Sequence, residues 1–118
     1  MKITKITPIF CDGVWRVFTF VKVETDEGLT GYAECTDSSS AFGIGGCIRD
    51  MEHLLIGQNP LNVEKLYFEM SKHFQQNPGG IAQKAIAGVE VALWDIKGKA
   101  LGLPLYELFG GAIRDRLR

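Results

Sequence analysis

Histidine is scarce in this chain: there are 2 among 118 residues, beside 3 cysteines and 4 prolines. His53 and His73 fall on different predicted helices, with no partner ligand at i+3 or i+4. That excludes a zinc site legible from local spacing. Neither has a serine or cysteine neighbour from which a nucleophile, base and orienting group could be assembled. Cys11, Cys35 and Cys47 are odd in number and show no CxxC spacing. They read as free thiols in a reducing compartment, with Cys35 and Cys47 as small buried fillers. A net charge of −1 leaves no electrostatic footprint for nucleic acid. The one basic cluster, Arg114, Arg116 and Arg118, is interrupted by Asp115 and reads as a solvated tail. No charge-free run approaches the roughly 20 residues that span a bilayer, which excludes a membrane helix. Met1 to Lys5 leads into alternation, not into an apolar run with a cleavage site, so a cytoplasmic protein is expected. Gly43-Ile44-Gly45-Gly46 lacks both the GxGxxG spacing and the lysine of a P-loop, which argues against a nucleotide site.

What is present is an ordinary globular composition, 46% hydrophobic and 23% charged, in a chain of one-domain length. Lys2 to Phe10 alternates, and Arg16 to Thr25 is β-branched and aromatic throughout. Asp26-Glu27-Gly28 supplies a turn, and Leu29 to Cys35 makes a third short strand. Together they predict a three-stranded antiparallel meander. Thr36 to Ser40 is polar, with Ser39 or Ser40 placed to cap the helix that follows. Ile44, Ile48, Met51, Leu54 and Leu55 keep helical spacing. Gly43, Gly45 and Gly46 cost roughly 1 kcal/mol each against alanine, so this helix is expected to be firm only from about Cys47. Gly57 sits at a C-terminal cap position. Asn62 and Glu64 open a second helix, carried by Val63, Leu66, Tyr67, Met70 and Phe74 and ended by Asn77-Pro78-Gly79-Gly80. A third helix runs from about Ile81 to Leu101, and Pro104 to Phe109 forms a short fourth. The fold class is α+β: the meander, then a bundle of three to four helices.

The third helix carries two apolar stripes when its residues are set about 100° apart. Ala82, Ala85, Ile86, Val89, Ala92, Leu93, Ile96 and Ala100 form the main one. Ala87, Val91, Trp94, Gly98 and Leu101 form another on the opposite side, while Asp95 and Lys99 can pair at i, i+4 in the gap. Two readings of the second stripe stay open. It packs under this domain's own elements, or it serves a partner outside the chain. Candidate chemistry is thin. Glu24, Asp26 and Glu27 cluster at a hairpin tip, where a solvated turn explains them. Glu34 ends a strand, where a structural ion pair or loop anchor is the simpler reading.

Three motifs matter jointly: Gly31-Tyr32-Ala33-Glu34, Leu55-Ile56-Gly57-Gln58-Asn59-Pro60, and Ala92-Leu93-Trp94-Asp95-Ile96-Lys97-Gly98-Lys99 leading to Leu103-Pro104-Leu105-Tyr106-Glu107-Leu108-Phe109-Gly110-Gly111. In this order and spacing the whole chain resembles the N-terminal capping domain of the enolase superfamily, mandelate racemase/muconate lactonizing branch. The resemblance implies a cap over residues 1–112 and a stub, 113–118, leading toward a TIM-like barrel absent from the chain. In such enzymes the barrel holds Mg²⁺ and abstracts a proton next to the carboxylate of an acid or acid sugar, as a racemase, dehydratase or cycloisomerase. The cap closes the site. By itself this chain would bind no metal and complete no active site.

The resemblance also assigns the lid. Its two loops correspond to Cys11-Asp12-Gly13-Val14-Trp15 and Cys35-Thr36-Asp37-Ser38-Ser39, making Asp12, Trp15, Thr36 and Asp37 the substrate-facing candidates. Val91, Trp94 and Leu101 would face the barrel. The expected partners are that barrel, a small carboxylate or acid-sugar substrate and, in a homo-oligomer, further copies. A stand-alone oligomerisation or protein-interaction domain, using the spare helix face, is the alternative.

Overall fold

The computed structural model describes residues 1–37 and 39–116. Three strands come first: β1 (Ile3–Asp12), β2 (Val17–Thr25) and β3 (Thr30–Glu34). They form one antiparallel sheet in the order β1-β2-β3. Strictly alternating burial along β2 puts Thr19, Val21, Val23 and Thr25 on the core face, the period-2 signature of a half-solvated sheet. Gly28 turns the second hairpin at φ 80°, in the left-handed region glycine tolerates.

Four helices follow: α1 (Ala41–Leu55), α2 (Val63–His73), α3 (Gly80–Leu101) and α4 (Leu105–Leu108). α1 and α3 cover the core face of the sheet, α2 packs on both of them and α4 on α3, so that Ile3, Ile6, Val21, Val23 and Ala33 share one core with Ile44, Ile48, Met51, Leu66, Met70, Val89, Leu93 and Ile96. α3 is the central pillar, buried through Ala82, Ala85, Ile86, Val89, Ala92, Leu93 and Ile96. The last member of its predicted main stripe, Ala100, is exposed, because the sheet ends before it. Gly102 (φ 66°) closes α3, with the Leu103 N–H donating to the Gly98 carbonyl at 3.0 Å, the bond of a Schellman cap.

One expectation fails. α1 is regular from Ala41, not from Cys47. Gly45 is buried against the Phe10 ring, where a Cβ would collide with the aromatic carbons. Burial of Ile44 and Ile48 in the same turns offsets the glycine penalty. Ser40 does hold the cap position, but it makes no side-chain cap hydrogen bond.

Candidate functional site

Both predicted loops leave the same end of the sheet. Asp12 lies opposite Val17, so the first hairpin turns within Gly13 to Arg16. Beyond β3, the Cys35 N–H donates to the Thr19 carbonyl at 2.9 Å, which carries the second loop alongside the first. Val17, Asp37, Ser39, Ala41 and Phe42 line a shallow notch of about 150 Å³ between them. Ser38, part of the predicted second loop, lies outside the described residues, as do Leu117 and Arg118.

The first loop is tight and apolar at its tip. The Asp12 carboxylate accepts the Val14 N–H at 2.9 Å, and the Gly13 N–H donates to the Arg16 carbonyl at 2.9 Å. This holds Val14 at φ 74° with its side chain 98% exposed. A β-branched residue there is strained, a condition that concentrates at functional loops. Trp15 is 74% exposed and meets Phe18 edge-on at 6.2 Å. The Arg16 guanidinium carbon lies 4.3 Å from the Trp15 ring centroid and 4.6 Å from that of Phe18. Its buried Nε has no hydrogen-bond partner, and no ion pair of Arg16 is seen among the described residues. Arg16 is not among the residues that local sequence patterns single out as candidates. The signal was there: Arg16 and Phe18 are two apart at a strand start, so they share a face.

The second loop is anchored. The Thr36 hydroxyl accepts the Thr19 N–H at 3.1 Å. The Asp37 carboxylate pairs with Lys84 Nζ at 2.7 Å and accepts the Ser39 N–H at 3.2 Å. Lys84 stands on the second turn of α3, so that helix holds the loop's position. Next to the loop, burial pushes the Cys35 thiol up to about 11, with the nearby Glu34 charge adding to the effect. Cys35 is therefore a filler packed on Gly88, whose missing Cβ leaves room for it. Cys47 is partly buried and its thiol is also pushed up, mainly by desolvation. Cys11 is exposed. The acidic hairpin tip is explained by pairing: Glu27 takes the N-terminal ammonium at 2.7 Å, Asp26 accepts the Lys2 N–H, and Glu24 pairs with Lys22. Glu34 is exposed on the outer sheet face.

The second stripe of α3 is the other candidate surface. Gly98 is covered by Leu103 and Leu105, yet Val91 remains 46% and Leu101 53% exposed. Trp94 is half-buried against the Phe109 ring at 4.9 Å, with Lys97 Nζ 4.9 Å from its own centroid. Exposed Leu103, Tyr106, Phe109 and Ile113 extend this apolar surface past the helix.

Among the described residues no three His, Cys, Asp or Glu side chains converge to hold a metal ion. No helix among these residues is long and apolar enough to cross a membrane.

Comparison with known proteins follows the same lines. Residues 15–110 match the family described as mandelate racemase / muconate lactonizing enzyme, N-terminal domain. The chain is 42% identical over its full length to D-galactonate dehydratase of Verminephrobacter eiseniae, covering 30% of that enzyme. It superposes on the 3,6-anhydro-D-galactonate cycloisomerase of Zobellia galactanivorans with a TM-score of 0.91 at 34% identity, over 97% of this chain and 33% of the other. An enolase from Pantoea ananatis with bound D-gluconate and Mg matches with the same TM-score and identity, over 97% of this chain and 28% of its own. The chain thus spans about a third or less of each of these relatives.

Proposed function

Because the chain belongs to the mandelate racemase/muconate lactonizing enzyme family as its N-terminal domain, we propose that it caps the active site of a longer acid-sugar dehydratase, racemase or cycloisomerase. Residues 1–112 form the cap and 113–118 lead toward a TIM-like barrel. The barrel carries Mg²⁺ and the bases that move the proton next to the substrate carboxylate. The cap contributes closure, water exclusion and substrate selection. Free thiols fit a cytoplasmic setting.

The carrying observation is the orientation of α3. It begins beside the second loop, through Lys84 and Asp37, and ends at the far end of the sheet, where Lys99 Nζ donates to the Thr30 carbonyl at 2.7 Å. α3 is 22 residues long, about 33 Å, and Val91, Trp94 and Leu101 lie along its C-terminal half. In this reading the barrel seats on the face that bears them and opens toward the end of the sheet that carries both loops. Asp12 and Trp15 then shape the lid, Thr36 and Asp37 set the second loop, and Arg16 offers a cation to an anionic substrate.

The test uses the full-length protein. Trp15→Ala and Arg16→Ala are expected to raise KM for the acid substrate about tenfold, the loss of roughly 1.4 kcal/mol of binding, with the Tm of Trp15→Ala, whose side chain is exposed, unchanged. An unaltered KM in both variants removes the lid role. Mg²⁺-dependent turnover of sugar acids by the 118-residue chain alone overturns the division of labour.

A further inference from the structure

His53 and His73 stand twenty residues apart in sequence, on different helices, yet their rings meet. The ring centroids lie 5.5 Å apart with an interplanar angle of 67°. His53 is in the last turn of α1 and His73 in the last turn of α2. Both side chains are exposed, while the backbones that carry them are fixed by Met51, Leu55, Leu66 and Met70 in the core. Phe74, itself packed against that core, holds its ring edge-on to His73 at 4.8 Å. None of this geometry is used by the two lid loops: twelve residues of α1, about 18 Å, separate His53 from Ala41.

We infer that His53 and His73 form a two-imidazole site for a divalent transition-metal ion of the Ni²⁺, Cu²⁺ or Zn²⁺ class. Imidazole suits those ions, whereas Mg²⁺ and Ca²⁺ prefer oxygen ligands. An ion about 2.0–2.1 Å from one nitrogen of each ring, at a near-tetrahedral angle, places the centroids roughly 5–6 Å apart. The observed 5.5 Å falls within that range. Two rings ligating one ion need not be coplanar, so the crossing angle is no obstacle. Both rings sit at helix C-terminal ends, where the partial negative charge of the backbone favours a cation. No third protein ligand joins them among the described residues, so water completes the coordination. The bound ion ties the last turn of α1 to the last turn of α2.

Calorimetric titration of the chain with Ni²⁺ tests the site, with His53→Gln, His73→Gln and the double variant alongside. Each single variant is expected to weaken Ni²⁺ binding about tenfold or more, because one ring raises the effective concentration of the other. The double variant should lose the remaining one-imidazole binding as well. Ni²⁺ should raise Tm of the native chain, and Mg²⁺ at the same concentration should not. Single variants that bind Ni²⁺ as tightly as the native chain, or native binding no tighter than that of the double variant, overturn the proposal. A second readout needs no variant: Ni²⁺ should protect both histidines together from carbethoxylation, and full reactivity of either one in saturating Ni²⁺ sinks the idea.

Discussion

The Asp95 carboxylate accepts the backbone N–H of Tyr32 at 2.9 Å, across 63 residues of sequence. The same oxygen pairs with Lys99 at 2.7 Å, and Lys99 donates in turn to the Thr30 carbonyl. Two residues one turn apart on α3 thereby satisfy one donor and one acceptor on the open edge of β3. An uncovered edge is a template for pairing with another chain. The WDIKGK segment thus acts as an edge guard as well as a helix.

Asp95→Ala should cost about 1–2 kcal/mol, since it leaves the Tyr32 N–H without its acceptor. Asp95→Asn keeps an acceptor and loses only a half-exposed ion pair, so its cost should stay below about 1 kcal/mol. Urea unfolding of both variants checks this order. Equal losses would show that charge, not the edge bond, carries the contact.

Gly31 and Gly46 should respond in opposite directions. A Cβ on Gly31 would land on the Ala92 carbonyl oxygen and crowd Ile96. Gly31→Ala is therefore expected to cost about 3 kcal/mol or more, by forcing β3 away from α3. Around Gly46 nothing lies within 4 Å. Gly46→Ala should stabilise α1 by about 0.5–1 kcal/mol. Thermal melts of the pair are decisive, and a stabilising Gly31→Ala would disprove the close approach.

Cys35 gives an alkaline signature. Its thiol is raised from 9.0 to about 11, so between those values the folded state binds the proton that the unfolded state has lost. More protons on the native side means that stability falls as pH rises. The full contribution is present below pH 9 and is lost through pH 11, on the order of 2–3 kcal/mol. The native chain should lose that much more than Cys35→Ala over the same range. Identical pH profiles would refute the burial argument. In the folded chain a thiol reagent should modify exposed Cys11 ahead of Cys35.

Leu101 probes the open face of α3. Sedimentation velocity over a wide concentration range should show the native chain self-associating through its exposed Val91, Leu101 and Phe109 surface. Leu101→Lys should weaken that association several-fold without lowering Tm, since the side chain is 53% exposed. A native chain that stays monomeric at millimolar concentration would show that this face needs a larger partner than a second copy.

Periodicity alone located the meander, the helices and the two stripes of α3, because side-chain direction along a strand or helix is a local property. Gly28 and Gly57 were legible as turn and cap for the same reason, and both adopt positive φ. The junction from Ala92 to Gly111 carried the family. Tertiary structure decided the rest. It made α1 regular through Gly43, Gly45 and Gly46, because Ile44 and Ile48 in the same turns are buried, while the Phe10 ring fills the space a Cβ on Gly45 would take. It set Arg16 between Trp15 and Phe18, tied Asp37 to Lys84 and brought His53 against His73. It left Val91 and Leu101 open while covering Gly98. Each of these rests on how separate elements pack or on a single loop's conformation, and apart from the i, i+2 spacing of Arg16 and Phe18 no short-range pattern encodes it.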